Sequence, residues 1–245
     1  MRNIKLILEY DGTNFLGWQI QPNGRTVQRE IEQSLKQLFQ EDIRVHSAGR
    51  TDAGVHALGQ VVNFRVEKQI PLFSIQRALN SLLPEEIRVL AVEETTTDFD
   101  ARYSAVKRHY RYLISLVPTA INRLYCWYVA QPLDLNLMNE CAQLIIGEHD
   151  FKSFCQTGAK VKNYQCKVEK AGWYAEGKRL IFDIVANRFL HNMVRILVGT
   201  MVEVGTTRLT VAEFAKILAN RDRTQAGPTA PARGLFLVQV FYNNA

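Results

Sequence analysis

Four cysteines in 245 residues are too few and too scattered for a disulfide scaffold or a zinc site. Cys126, Cys141, Cys155 and Cys166 never fall at a C-x-x-C spacing, and no histidine stands at a zinc-finger offset from them. Zinc needs four soft ligands that converge, and these usually arrive as local pairs. The four are expected to be reduced thiols, mostly buried, in a cytoplasmic protein. A long apolar run is also missing. No stretch approaches the roughly 20 residues of a membrane span. Glu9 and Asp11 cut the first apolar run far short of a signal peptide. A phosphate-binding loop is missing too. Gly12 and Gly17 have its spacing, but Trp18-Gln19 follows where Lys and Ser or Thr are required. A generic nucleotide-binding domain is therefore disfavoured.

What remains is an ordinary globular composition, with 47% apolar and 22% charged residues. The length supports a core of good size without staples, in one large domain or two smaller ones. The formal charge is +6. Such an excess favours a polyanionic partner, because each neutralised phosphate releases counterions. It is equally compatible with a solubilising surface.

Hydrophobic periodicity divides the chain. Ile4 to Tyr10 reads as a strand closed by the turn Asp11-Gly12. Thr26 is a good N-cap residue, and Val27, Ile31, Leu35 and Leu38 lay one apolar face along a helix over 27–39. Strands are expected at 43–48, 61–66 and 87–92, with a helix at 72–83 stopped by Pro84. That order, strand-helix-strand-strand-helix-strand, is the ferredoxin-like pattern. A second unit follows from about residue 105. Its expected strands lie at 108–116, 173–174, 180–186 and 234–242. Its expected helices are 135–146, 189–204 and a short one from Thr210 to about Leu218, opened by the capping box Thr210–Glu213.

Chemistry concentrates in Gly49-Arg50-Thr51-Asp52-Ala53-Gly54-Val55-His56-Ala57. One carboxylate stands between two basic residues, with glycines that permit tight or left-handed backbone. The nearest carboxylates in sequence are Asp42 and Asp98, so a two-carboxylate glycosidase arrangement is unsupported. A lone Asp beside cations can act as nucleophile or base. It can equally well be a structural Asx-turn, with Arg50 a surface residue. Both readings stand on spacing alone.

The chain closely resembles the bacterial tRNA pseudouridine synthase A family. The resemblance runs nearly end to end. It is carried by Tyr10-Asp-Gly with Phe15-x-Gly-Trp-Gln, Arg50-Thr-Asp-Ala-Gly-Val-His-Ala, Tyr110-x-Tyr112, Asp150-Phe-x-Ser-Phe, Phe189-Leu-x-x-Met-Val-Arg195 and Ala232-Arg-Gly-Leu235. It implies an α+β pseudouridine synthase fold of two ferredoxin-like (RRM-like) halves, 1–105 and 106–245. Antiparallel sheets would be packed by helices, with the active-site cleft between the halves. It implies an isomerase that acts on uridines at positions 38–40 of the tRNA anticodon stem-loop, as a homodimer and without a cofactor or metal. By the same resemblance Asp52 is the catalytic aspartate. Arg50 would fill the gap left by the flipped nucleotide, and Tyr110 would stack on the uracil. Arg195 would pair with Asp52, and Leu235 would pack against the base. Without the resemblance Tyr110 and Leu235 read as packing residues and Arg195 as a snorkelling side chain. Of the further basic residues, which include Lys160 and Lys162, Arg188 and the cluster Lys107, Arg108 and Arg111 rank first for an RNA groove, because they flank matched motifs. A non-catalytic tRNA binder is the competing reading. A pure binder has no reason to keep Asp52 beside Arg50.

Overall fold

A computed structural model describes residues 1–158 and 161–243. The chain opens with β1 (Arg2–Tyr10), α1 (Val27–Phe39), β2 (His46–Ser47), β3 (His56–Val66), α2 (Leu72–Leu82) and β4 (Ile87–Thr95). There follow β5 (Ala105–Ser115), β6 (Trp127–Tyr128), α3 (Leu135–Leu144), β7 (Gly147–Asp150), β8 (Gln165–Glu176), β9 (Arg179–Ala186), α4 (Met193–Gly205), α5 (Val211–Asn220) and β10 (Leu235–Tyr242). Two compact units result. One holds Met1–Val106 and the C-terminal segment from Phe236; the other holds Lys107–Leu235. The resemblance implies a second half of 106–245, whereas most of the last strand belongs with the first unit.

In the first unit β1 is antiparallel to both β3 and β4. The far edge of β3 carries β2 antiparallel at Asn63 and Val62, and β10 parallel at His56 and Ala57. The expected all-antiparallel sheet is thus modified at one edge. Alternation along β1 buries Ile4, Leu6, Leu8 and Tyr10. Of the apolar face expected on α1, Val27, Ile31 and Leu35 are fully buried, while Leu38 is half-buried and Phe39 fills the core in its place, meeting Phe64 of β3 edge-on at 5.9 Å. The strand expected at 43–48 shrinks to His46–Ser47. Ile43 and Val45 are buried, but the ladder with β3 is confined to His46 and Ser47.

In the second unit β9 lies between β5 and β8, with β7 beyond β8, all antiparallel, and β6 joins β5 in parallel. Tyr112, Phe182 and Trp173 line the buried face, with Trp173 stacked on Phe182 at 4.8 Å. Helix α4 is buried almost all round, and Trp173 Nε1–H donates to Met201 Sδ at 3.2 Å. The capping box expected at Thr210 and Glu213 is present. Helix α4 begins at Met193 rather than 189, because Asn192 adopts φ 61° and interrupts any helical approach from Phe189. All four cysteines are free and buried. Burial raises each thiol, that of Cys141 to about 12 and that of Cys166 to about 11.

Candidate active site

Asp52 sits half-buried in a turn that Val55 N–H closes onto Asp52 O at 3.1 Å, with Gly54 at φ 76°. Arg50 is exposed two residues earlier, and Thr51 between them is buried. The loop rests on the segment 11–18. Trp18 N–H donates to Thr51 O at 3.0 Å, and Gly54 N–H to Phe15 O at 3.3 Å. Gly12 N–H donates to Nδ1 of the buried His56 at 3.0 Å. Gly12 and Gly17, which do not form a phosphate loop, serve close backbone approach instead. A Cβ on Gly12 would stand 2.0 Å from Val55 O, and one on Gly17, at φ 87°, would stand 2.7 Å from Thr51 O. Two backbones can approach this closely only where one lacks a side chain.

The same segment terminates α1. Thr26 occupies the N-cap position, yet its hydroxyl makes no capping bond and is buried without a hydrogen-bond partner among the described residues. The helix N–H groups of Val27 and Gln28 donate instead to Gly17 O at 3.2 Å and Trp18 O at 3.0 Å. The first turn of α1 is therefore tied to the loop that carries Asp52. Arg25 braces the other side of the segment. Its guanidinium lies 4.5 Å from the Phe15 ring centroid and pairs with Glu86 and Glu30, each at 2.8 Å. The hydrogen bond from Arg25 holds the Glu86 carboxyl down at about 2.

The second unit carries Tyr110, Arg188, Arg195 and Leu235. Tyr110 is buried on β5 and meets Phe189 edge-on at 5.0 Å. Arg195, in the first turn of α4, donates to Ala230 O at 2.7 Å and Asn192 Oδ1 at 2.8 Å. The segment 227–235 is pinned across this helix. A Cβ on Gly199 would strike Pro228 O at 1.8 Å, and Thr200 Oγ1 receives Gly227 N–H at 3.0 Å. Tyr112, one pleat from Tyr110, donates to Pro231 O at 2.7 Å. Its hydroxyl is pushed up by burial. The segment then delivers the buried Leu235 and, next to it, Phe236, which stacks on His56 at 4.7 Å. Arg188, at the exit of β9, donates to Asn163 Oδ1 at 3.2 Å.

Strand alternation sorts the basic cluster on β5. Lys107 pairs with Glu169 at 2.8 Å, and Arg111 forks onto both oxygens of Asp183 at 2.9 and 3.0 Å. His109 adds a 2.7 Å contact to Asp183. Asp183 is partly buried, which raises its carboxyl, but the bonds from His109 and Arg111 outweigh this and leave it below the usual range. Lys107 and Arg111 are thus engaged by acids on one face, while Arg108 shares the face of Tyr110. Lys160 lies outside the described residues. Among the described residues no three His, Cys, Asp or Glu side chains gather as a metal site.

Residues 6–104 and 141–243 match the profile of a family described as tRNA pseudouridine synthase. Similar proteins extend this over the whole chain. The tRNA pseudouridine synthase A of Moorella thermoacetica is 47% identical over 98% of this chain and 99% of its own. The chain belongs to the tRNA pseudouridine synthase A family. The enzyme of the same name from Acetivibrio thermocellus is 44% identical over 99% of this chain and 100% of its own. That of Halalkalibacterium halodurans is 47% identical over 96% and 90%. Members of the tRNA pseudouridine synthase A family are isomerases, and the α+β architecture described above is this family's pseudouridine synthase fold. Tyr10, Gln60, Gly12 and Gly17 carry no expected task from sequence, although Tyr10 and both glycines lie within the family's motifs. Gln60 gave a weak signal as an amide inside an apolar strand.

Proposed function

We propose that the protein converts uridine to pseudouridine at positions 38–40 in the anticodon stem-loop of tRNA. The support is family membership along the full chain, together with the Arg50–Asp52 loop standing on a rigid scaffold. A uridine stacked in a stem cannot present its sugar carbon to a side chain, so it must be flipped out at a cost of a few kcal/mol. In this reading the exposed Arg50 occupies the vacated stack and meets phosphates. Tyr110 offers an aromatic face to the uracil, and Leu235 forms an apolar wall that keeps the detached base from leaving. Asp52 drives cleavage of the bond from N1 to C1′, the base turns, and C5 bonds to C1′. The C5 proton is lost and N1 gains one, so the atoms balance and neither redox cofactor nor group donor is consumed. Arg195 pairs with Asp52 in this scheme, and Arg188 and Arg108 meet the RNA backbone. The acting form is a cytoplasmic homodimer.

The test is pseudouridine mapping on unmodified tRNA incubated with the purified protein. Modification at 38–40 is the expected result. A tRNA left without pseudouridine overturns the reading, and pseudouridine confined to another stem overturns the assignment of the target.

A further inference from the structure

Asp52 must hold its position while a base turns beside it, yet it lies in a loop bounded by Gly49 and Gly54. We propose that Tyr10, Thr51 and Gln60 form a buried clamp that fixes this loop and so sets the placement of the Asp52 carboxylate. The three are positioning residues for uridine isomerisation, and the inference rests on the functional reading above.

Tyr10 ends β1 and is 2% exposed; Gln60 lies within β3 and is fully buried. The Gln60 amide nitrogen donates to Gly49 O at 2.8 Å and to the Tyr10 hydroxyl at 3.4 Å. The same Tyr10 hydroxyl stands 2.7 Å from Thr51 Oγ1, a hydrogen bond in which either hydroxyl can donate. Thr51 is gripped a second time through its backbone carbonyl, which accepts from Trp18 N–H. The residues on both sides of Arg50, one of them the direct neighbour of Asp52, are thereby held by side chains rooted in two adjacent strands. Three polar groups buried together cost stability unless each is satisfied. Apolar residues of similar size would fill the same core with less at stake, so a purely packing role leaves the hydroxyls unexplained. Burial also pushes the Tyr10 phenol up to about 12, which keeps it protonated and neutral over the working pH range.

The experiment uses the full chain and four variants: Tyr10→Phe, Thr51→Val, Thr51→Ser, and Tyr10→Phe combined with Thr51→Val. Three quantities are read: the single-turnover rate of pseudouridine formation at saturating enzyme, tRNA Kd, and thermal midpoint. Small displacements of a reacting group cost large factors in rate, so Tyr10→Phe and Thr51→Val should each slow turnover by about tenfold or more, with Kd within about twofold of wild type. Thr51→Ser keeps the hydroxyl and should stay within about threefold of the wild-type rate. The double variant should be no slower than the worse single variant, because one contact has been removed twice. An active wild type beside an equally active Tyr10→Phe overturns the clamp alone. So does Thr51→Ser as slow as Thr51→Val, or a loss seen in the thermal midpoint with turnover intact. A wild type that makes no pseudouridine overturns the functional reading and the clamp with it. If Tyr10→Phe does not fold, the Thr51→Val and Thr51→Ser pair reads the same contact.

Discussion

Single side chains in this protein divide into those that face the proposed reaction and those that hold them there. Asp52 and Arg50 belong to the first kind; Arg25 and Glu86 belong to the second. The Arg25–Glu86 pair braces Phe15 and through it the turn beneath Asp52. Its pH dependence follows from the direction of the shift. The Glu86 carboxyl is lowered from its ordinary 4.5 to about 2 in the fold. A depressed carboxyl binds its proton more weakly when folded, so its stabilisation is fully present above about 4.5 and fades as pH falls towards 2. The difference in thermal midpoint between wild type and Glu86→Gln should therefore be level from neutrality down to about pH 5 and shrink below it. A difference that grows on acidification contradicts this. Of the basic residues near Tyr110, Arg108 is the one its strand turns to the tyrosine's side, since Lys107 and Arg111 are bound to Glu169 and Asp183.

At the scale of elements, the loop 11–18 does the work that the sequence concealed. Its glycines exist for close approach to 51–55. Gly17→Ala places a Cβ against Thr51 O at a φ of 87°, and a left-handed non-glycine residue itself costs roughly 1–2 kcal/mol. The variant should melt lower and turn over tRNA several-fold more slowly, measured by single-turnover kinetics; wild-type turnover would show that the contact is idle. Helix α1 was legible from its apolar spacing and matches 27–39 residue for residue. Its cap was not, since Thr26 has the right chemistry but carbonyls from Gly17 and Trp18 arrive through space. Strand β8 begins at Gln165, eight residues before the expected strand at 173. Its alternation is broken by a bulge between Val168 and Lys170, which masks the period of two. The strand β7 that pairs with it is only four residues long and reads as polar loop. In the site, Asp52 stood out by its glycine and arginine neighbours alone. Tyr110, Arg195 and Leu235 could be singled out only through the family's motifs, because each also suits an ordinary packing position. Tyr10 was hidden by the regular alternation of Ile4, Leu6, Leu8 and Tyr10. It is a core residue, and its role lies in the one polar atom that pattern ignores.

Taken as a whole molecule, the chain joins two α+β units under an excess of positive charge, with 30 Lys and Arg against 24 Asp and Glu. Among the described residues no helix is long and apolar enough to cross a membrane. The charge fits a phosphate-rich substrate, and counterion release makes the consequence measurable. The logarithm of tRNA affinity should fall linearly with the logarithm of salt concentration, and Arg108→Ala should flatten that slope by about one. Affinity independent of salt would remove the RNA backbone from the account. The central claim, however, is that Asp52 performs the chemistry and is not required for binding. Its most direct measurement is tritium release from tRNA carrying 5-tritiated uridine, with wild type and Asp52→Ala compared at enzyme concentrations above the Kd of each. The account predicts release of the tritium carried by the uridines at 38–40 with the wild type and none above background with the variant, while both bind the tRNA with similar affinity. Release by Asp52→Ala at the wild-type rate would contradict it.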